Sequence, residues 1–305
     1  MGKIAFVFAG QGAQYSGMGK ELYDNIEASR GIFDNAESKK PGLLRMCFQG
    51  SDEELAETKN TQPCMFVMEM AAAKALTDRG VKPQAVAGFS LGEIAAVTFA
   101  GCVSFEEGLE LVSLRGKFMQ EDITKHDSGM VAVVKLSPDK VDELCAKYEK
   151  VFPVNYNGPA QVSVAGLKDQ LDEFAKDVKE AGGRALPIKV RGGFHSEFVE
   201  DAANNFGKAL ENVSINEPKV TVYSDYTGVP YEGDYKKLLS NQICNPVRWH
   251  NIVVDMIEKG FDTFVEIGPG KTLSGLISKI DSSVTCLQVE DIASLTKTLE
   301  VLGVE

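Results

Sequence analysis

A serine framed by two glycines is the residue of this sequence best placed for covalent chemistry. The segment GFSLG at 88–92 fits G-x-S-x-G, in which a sharp strand-to-helix turn exposes a serine nucleophile. The small residues on either side of Ser90 let the chain bend without a clash, and the start of the next helix favours negative charge. The alternative is that Ser90 only caps that helix.

A base must take the proton of a serine hydroxyl before it can act as a nucleophile, and the sequence has three histidines. His126 lies in the polar segment TKHDSG, and His250 follows Trp249 at a helix start, so both fit surface or structural positions. His195 lies in VRGGFHSEF, after two glycines and before a helix, and is the preferred base. A Ser–His–acid triad and a Ser–His dyad oriented by a backbone carbonyl or an amide are both allowed.

Two glycine-rich segments come close to nucleotide-binding loops, and each fails at one position. FAGQGAQYSGMG at 8–19 would need glycine at Tyr15 for a dinucleotide loop, and GPGKT at 268–272 would need glycine at Val265 for a phosphate loop. Gln11, on the turn after the first strand, can instead offer a backbone N–H to an oxyanion. The alternative for that segment is an ordinary tight turn.

Two charged residues lie on predicted helices, one of them inside a helix that is otherwise apolar. Arg115, in SLRGKFMQ, needs a partner for its guanidinium. A structural salt bridge is one interpretation, and a bidentate clamp on a substrate carboxylate is the other. Glu93, in the first turn after Ser90, is interpreted as a favourable contact with the helix dipole.

The elements that must position these residues alternate between strand and helix, which indicates an α/β fold with a parallel sheet. The first half has strands at 4–9 and 84–89 and helices at 62–77, 91–100 and 104–119. Segments from 129 to 189 then follow the order β-α-β-β-α-β, which is ferredoxin-like. We predict an inserted small subdomain at 127–192, between core segments 1–126 and 193–305, and an active site in the cleft. Beyond the insert the pattern predicts helices at 197–212, 235–242, 249–259 and 273–280, and strands at 220–224 and 263–267.

Length and composition narrow the class of protein. The chain has 305 residues, of which 44% are hydrophobic, enough to bury a sizeable core. The net charge of −12 argues against binding nucleic acid or an anionic membrane. The six cysteines form no CxxC pair and indicate a reducing compartment. With neither a signal peptide nor an apolar segment of membrane-spanning length, a cytoplasmic protein is expected.

Taken together, the motifs resemble one family over nearly the whole chain: the malonyl-CoA:acyl carrier protein transacylases and the acyltransferase domains of fatty-acid and polyketide synthases. The likeness runs in order through FAGQGAQ, GFSLGE, SLRGKFMQ, NGPAQVSVAG, FHSEF, NPVRW and EIGPGKTLSGL. The fold that it implies is an α/β-hydrolase-like core with a ferredoxin-like insert.

The resemblance also implies a role for each matching site residue. Ser90 matches the serine that becomes malonylated, and His195 matches its base. Gln11 and Leu91 match the two oxyanion-hole positions, which act through backbone N–H groups. Arg115 matches the arginine that pairs with the malonyl carboxylate.

Further positions match or depart from the family pattern. Gln242, ahead of NPVRW, matches the residue that orients the histidine, and Phe194 matches malonyl-type members. Phe89 stands where histidine is common, and Gly193 stands where proline is common. Neither departure touches the expected nucleophile or base, but Phe89 is expected to alter the pocket wall.

The reaction implied is malonyl transfer from malonyl-CoA to the phosphopantetheine thiol of acyl carrier protein, through a malonyl-serine, for fatty-acid synthesis. No metal or other cofactor is expected. Because carrier proteins are usually acidic, transient docking needs a local basic patch. The candidates for this patch are Arg184, Lys189, Arg191 and Lys271. The alternatives are a serine thioesterase or esterase, an acyltransferase of a polyketide pathway, and an inactive carrier-binding paralogue.

Overall fold

The computed structural model describes residues 2–304. The strands are β1 (Lys3–Phe8), β2 (Ala85–Gly88), β3 (Ser128–Val134), β4 (Val151–Gly158), β5 (Gln161–Leu167), β6 (Arg184–Pro187), β7 (Thr221–Val222), β8 (Phe261–Ile267) and β9 (Thr285–Val289). The helices are α1 (Lys20–Asn25), α2 (Glu27–Lys39), α3 (Leu43–Gln49), α4 (Asp52–Leu55), α5 (Thr58–Thr77), α6 (Gly92–Phe99), α7 (Phe105–Ile123), α8 (Pro138–Cys145), α9 (Lys168–Glu180), α10 (Glu200–Glu211), α11 (Tyr235–Cys244), α12 (Trp249–Glu258), α13 (Thr272–Ile280) and α14 (Ile292–Leu302).

A five-stranded parallel sheet forms the larger lobe, with the strand order β7-β2-β1-β8-β9. The central strand β1 is apolar throughout its second half because helices cover both faces of the sheet. Phe6 and Phe8 point into the core on one face, and Ala5 and Val7 point into the core on the other. The predicted parallel α/β core is confirmed.

The parallel arrangement decides where the functional residues meet. The carboxyl ends of parallel strands share one edge of the sheet, which is where ligands bind in open α/β folds. Gln11 follows β1, Ser90 follows β2, and Asp225 follows β7. Because β2 lies between β1 and β7, Ser90 is flanked on both sides by loops from neighbouring strands.

A second sheet, antiparallel with the order β4-β5-β3-β6, forms the smaller lobe together with α8 and α9. This order is that of the predicted ferredoxin-like unit, and its own core includes Val133, Val162 and Phe174. The lobe is tied to the larger one where the N–H of Tyr156 donates to the backbone oxygen of Val247 at 2.9 Å. The boundaries at 127 and 192 stay a prediction.

Among residues 2–304, no helix is both long and apolar enough to cross a membrane. All six cysteines have free thiols.

Candidate active site

The turn at Ser90 requires the glycines that frame it. A Cβ on Gly88 would lie 1.9 Å from the backbone carbon of Gly92, and a Cβ on Gly92 would lie 2.4 Å from the backbone oxygen of Phe8. Ser90 itself has φ 58°, a left-handed conformation that L-residues rarely adopt. The chain therefore passes from β2 into α6 through a strained, tightly packed turn, as the sequence motif predicts.

His195 lies against the serine hydroxyl. Its Nε2 is 2.7 Å from Ser90 Oγ, and its Nδ1–H donates to the backbone oxygen of Gln242 at 2.8 Å. Of the two arrangements that the sequence allowed, the structure contains the dyad oriented by a backbone carbonyl. The preceding loop is held in place because the N–H of Gly193 donates to Ser128 Oγ at 3.0 Å.

The surroundings of His195 keep its ring neutral. Burial, together with the positive charge of Arg115, lowers the pKa of His195 to about 3, so at neutral pH Nε2 is free to accept a proton. His195 also has a left-handed backbone, with φ 59°. Backbone strain of this kind concentrates at functional sites, and here it falls on both members of the dyad.

Arg115 reaches the dyad from α7 and is fully buried. One nitrogen, Nη2, donates to Ser90 Oγ at 3.2 Å and to Gln242 Oε1 at 2.8 Å. Burial lowers the pKa of Arg115 to about 10, which leaves the guanidinium charged at neutral pH. Within the described part of the chain its Nε and Nη1 have no hydrogen-bond partner. Two of the three guanidinium nitrogens are therefore left without a protein acceptor among residues 2–304.

The turn of Gln11 packs directly against the turn of Ser90. A Cβ on Gly10 would lie 2.8 Å from the ring of Phe89 and 3.0 Å from its backbone oxygen, so a larger residue would push the two loops apart. Among residues 2–304, neither the N–H of Gln11 nor that of Leu91 donates a hydrogen bond to another protein group. Both backbone donors are thus available beside Ser90.

A cavity of about 290 Å³ lies above Ser90 between the two lobes. The larger lobe contributes Phe89 and Phe194 to its wall, and the smaller lobe contributes Met130 and Asn155. The ring of Phe89 is 5.6 Å from that of Trp249 in an edge-on arrangement. Phe89 therefore does form part of the pocket wall, held by an aromatic contact.

Three buried residues behind the turn were not assigned to the site from the sequence. Asp225 Oδ2 accepts the N–H of Ser90 at 2.6 Å, and the Tyr231 hydroxyl donates to Glu93 Oε1 at 2.5 Å. Glu93 is fully buried, which corrects its interpretation as a simple contact with the helix dipole. The signal that marks Glu93 is an acidic residue within GEIAAVTF, an otherwise apolar helix. No comparable pattern marks Asp225 or Tyr231.

The family model of the acyl transferase domain matches residues 5–298. The chain belongs to this family. It is 34% identical over 313 residues to the malonyl CoA-acyl carrier protein transacylase of Bacillus subtilis (strain 168), a match that covers 100% of this chain and 99% of the relative.

Solved structures of this family match as closely. The malonyl CoA-acyl carrier protein transacylase of Clostridium perfringens has a TM-score of 0.96 and 41% identity, covering 99% of this chain and 97% of that one. A malonyl-transacylase in complex with its type II polyketide acyl-carrier protein has a TM-score of 0.93 and 33% identity, covering 98% of this chain and 99% of the other. Family membership thus extends over both lobes of the fold.

Proposed function

We propose that this chain transfers a malonyl group from malonyl-CoA to the phosphopantetheine thiol of acyl carrier protein, by way of malonyl-Ser90. The observation that carries the proposal is the convergence on one atom: Ser90 Oγ is 2.7 Å from the Nε2 of His195 and 3.2 Å from the Nη2 of Arg115. A nucleophile, its base and a buried cation for a carboxylate are all within hydrogen-bonding distance. The names of the similar proteins support the same reaction.

In the first half of the reaction His195 acts as a base. Its Nε2 takes the proton of Ser90 as Oγ attacks the thioester carbon. The oxyanion formed is stabilised by the N–H groups of Gln11 and Leu91, and one donor of this kind contributes about 2.7–4 kcal/mol in other enzymes. The C–S bond then breaks, His195 returns the proton to the CoA sulfur, and malonyl-Ser90 remains.

In the second half His195 acts as the base for a different thiol. The phosphopantetheine thiol of the carrier gives its proton to His195 and attacks the malonyl ester carbon. The same two N–H groups receive the oxyanion, the ester C–O bond breaks, and Ser90 Oγ recovers its proton. The result is a ping-pong exchange in which Ser90 and His195 are regenerated.

Selectivity for malonyl follows from the unpaired donors of Arg115. A malonyl group on Ser90 carries a free carboxylate that can bind Nε and Nη1 of the guanidinium, which have no partner within residues 2–304. An acetyl group would leave these donors and their charge unpaired in a buried site, and such mismatches are rejected strongly.

Cofactor requirement, location and pathway are the remaining properties that we propose for this enzyme. The reaction needs no cofactor, since Ser90 and His195 supply the nucleophile and the base. Six free cysteines support a reducing, cytoplasmic location. The pathway is fatty-acid synthesis; the polyketide alternative is supported by likeness to a transacylase bound to a polyketide carrier.

Intact-mass spectrometry tests the proposal. The wild type, incubated with malonyl-CoA, should gain one malonyl group, and Ser90→Ala should gain none. Adding holo acyl carrier protein should discharge the enzyme and add one malonyl group to the carrier. Ser51→Ala, which removes an exposed serine at the start of α4, serves as the matched control.

Other results would separate the alternatives. Release of free malonate with no malonylated carrier would indicate a thioesterase, and no adduct with no turnover would indicate a carrier-binding paralogue. A polyketide carrier that is malonylated much faster than a fatty-acid carrier would assign the enzyme to the polyketide pathway.

A further inference from the structure

The nucleophile is held in a conformation that its own residue type disfavours. Ser90 has φ 58°, and a non-glycine residue in the left-handed region is strained, so it persists only where the surroundings fix it. The two framing glycines permit the turn, but they do not determine where the hydroxyl points. Some other group must hold the peptide units on either side of Ser90.

Two buried side chains bind those peptide units. Asp225 Oδ2 accepts the N–H of Ser90 at 2.6 Å, and Gln242 Nε2 donates to the C=O of Ser90 at 2.5 Å. Gln242 Nε2 also lies 3.4 Å from Asp225 Oδ2. Both side chains are at most 1% exposed. The peptide groups before and after the nucleophile are thus fixed from one side by two side chains that contact each other.

The backbone places Asp225 for this contact. It follows β7, the neighbour of β2, so the ends of the two strands lie side by side. The N–H of Tyr223 donates to the backbone oxygen of Val86 at 2.9 Å, and the N–H of Arg248 donates to the backbone oxygen of Asp225 at 2.8 Å. Hydrogen bonds therefore hold the backbone at and before Asp225, and its carboxylate lies against Ser90.

We propose that Asp225 is a positioning residue for acyl transfer, which accepts the N–H of Ser90 and so holds the strained turn with Oγ directed at His195. This rests on the acyl transfer proposed above. What the turn needs is an acceptor oxygen at this point rather than a negative charge. The environment of the carboxylate explains why.

Four groups face the Asp225 carboxyl from other elements: Glu93 on α6, Arg115 on α7, Gln242 on α11, and the Tyr231 hydroxyl. Burial, and next to it the charge of Glu93, raises the pKa of Asp225 well above its usual range, while burial raises the pKa of Glu93 to about 7. Burial thus favours the neutral form of each of these two carboxyls, which lie beside one arginine.

One oxygen of each carboxyl is left without a partner within residues 2–304. Asp225 Oδ1 and Glu93 Oε2 are buried with no hydrogen-bond partner in the part of the chain that the structure describes. A proton on either carboxyl removes one of the two negative charges. Because Oδ2 remains an acceptor in both protonation states, an asparagine at 225 can replace the aspartate in its contact with Ser90.

Three substitutions separate the acceptor from the charge. We expect Asp225→Asn to keep kcat within about threefold of wild type, because its Oδ1 can still accept the N–H of Ser90. We expect Asp225→Ala and Asp225→Leu to lower kcat at least about tenfold, the size of the penalty for a buried N–H left without an acceptor. The KM for malonyl-CoA should stay within about twofold in all three, since none touches the acyl pocket.

Two kinetic outcomes would overturn the proposal. One is that all three variants are folded and as active as wild type. The other is that Asp225→Asn loses as much activity as Asp225→Ala, which would assign the effect to charge. Thermal unfolding of each variant establishes that the lost activity is measured on folded protein.

A measurement on the wild type keeps the proposal testable if the apolar variants do not fold. In protein labelled with ¹⁵N-serine, the amide of Ser90 is the resonance that disappears in Ser90→Ala. It should lie far downfield and exchange slowly with solvent, as a short bond to a buried carboxyl requires; an ordinary, rapidly exchanging amide would overturn the proposal. The amide result stands whether or not the wild type is malonylated, so the two proposals fail separately.

Discussion

Gln242 holds His195 through its main chain: the Nδ1–H of His195 donates to the backbone oxygen of Gln242 at 2.8 Å. A carbonyl oxygen can only accept, so the proton of the neutral ring must sit on Nδ1 and the lone pair of Nε2 faces Ser90. The side chain of Gln242 meanwhile binds Arg115 and the backbone of Ser90. One residue therefore fixes the ring of His195 by its backbone and the turn of Ser90 by its side chain.

The first prediction concerns the pH at which His195 titrates. Because its pKa is lowered to about 3 by burial and by Arg115, kcat/KM for malonyl-CoA should be flat between about pH 6 and pH 8 rather than fall below an ordinary histidine pKa of about 6.5. The ring resonances of His195, assigned by their loss in His195→Gln, should not shift across that range in an NMR titration.

Arg115→Met provides the control for this titration. Removing the positive charge should move the titration of His195 upward, because the charge of Arg115 is the second cause of the lowered pKa. A midpoint near pH 6.5 in the wild type, in either the kinetic or the NMR data, would contradict the prediction. The lowered pKa of His195 also sets how stability changes with pH. Below the pKa of histidine in the unfolded chain, the unfolded state gains a proton that folded His195 does not. The folded state therefore loses stability as the pH falls.

The second prediction tests Arg115 as the carboxylate clamp. Arg115→Met should slow malonylation of Ser90 by about 10- to 150-fold, the equivalent of 1.5–3 kcal/mol for a charged hydrogen bond. Acetylation from acetyl-CoA should change much less, because an acetyl group has no carboxylate to lose. Both rates can be followed by quenched-flow mass spectrometry of the intact enzyme.

A neighbouring cation gives the matched control. Lys117 is on the same helix but exposed, 4.0 Å from Glu121, and Lys117→Met should leave both rates unchanged. If Arg115→Met slows malonylation and acetylation equally, Arg115 acts on the dyad itself and not on the carboxylate.

The sequence predicted the parts of this site whose requirements are local. The glycines around Ser90, the loop of Gln11 and the base at the exit of the insert follow from short segments, and the parallel sheet follows from the alternation of strands and helices. The contact between Ser90 and Asp225 joins residues 135 positions apart, and no local pattern encodes it.

The fold was predicted unevenly for a related reason. Helices α1 to α4 and the elements β9 and α14 were not predicted. Of these, β9 is an edge strand with only two of its five residues buried, so its sequence carries little of the apolar pattern of a strand. By contrast, β1 and the helix α5 are buried over most of their length and were predicted within a few residues.

The third prediction concerns the docking of the carrier protein. Of the four basic candidates, Lys189 and Arg191 line a hollow next to Gln11, close to the cavity that holds Ser90. Reversing both charges, as Lys189→Glu with Arg191→Glu, should raise the KM for acyl carrier protein severalfold in low salt, with a smaller effect in high salt because screening weakens the attraction. Malonylation of Ser90 by malonyl-CoA serves as the internal measure of an intact site.

Lys179→Glu is the matched charge reversal, since Lys179 is exposed on α9 and lines neither the hollow nor the cavity. It should leave the KM for the carrier unchanged. If each reversed charge has the same effect at Lys179 as at Lys189 and Arg191, only the net charge of the enzyme matters and this hollow is no docking surface.

The last prediction concerns a buried acid that the reaction does not use. Glu69, on α5, is fully buried in the core. Neither of its carboxyl oxygens has a hydrogen-bond partner within residues 2–304. It packs against Gly268, where a Cβ would lie 3.2 Å from Glu69 Cγ. Burial raises the pKa of Glu69 well above its usual range, which favours the neutral acid in the folded protein.

The sign of its effect on stability follows from this protonation. Above the ordinary carboxyl pKa the unfolded chain releases a proton that folded Glu69 keeps, so the folded state loses stability as pH rises. Glu69→Met removes the buried polar group and should raise the free energy of unfolding by about 1–3 kcal/mol at neutral pH, and by less in mild acid. Urea unfolding at two pH values measures both numbers. Glu110→Met, at an exposed position of α7, should change neither, and a gain from Glu69→Met that is the same at both pH values would show that Glu69 is ionised in the folded protein.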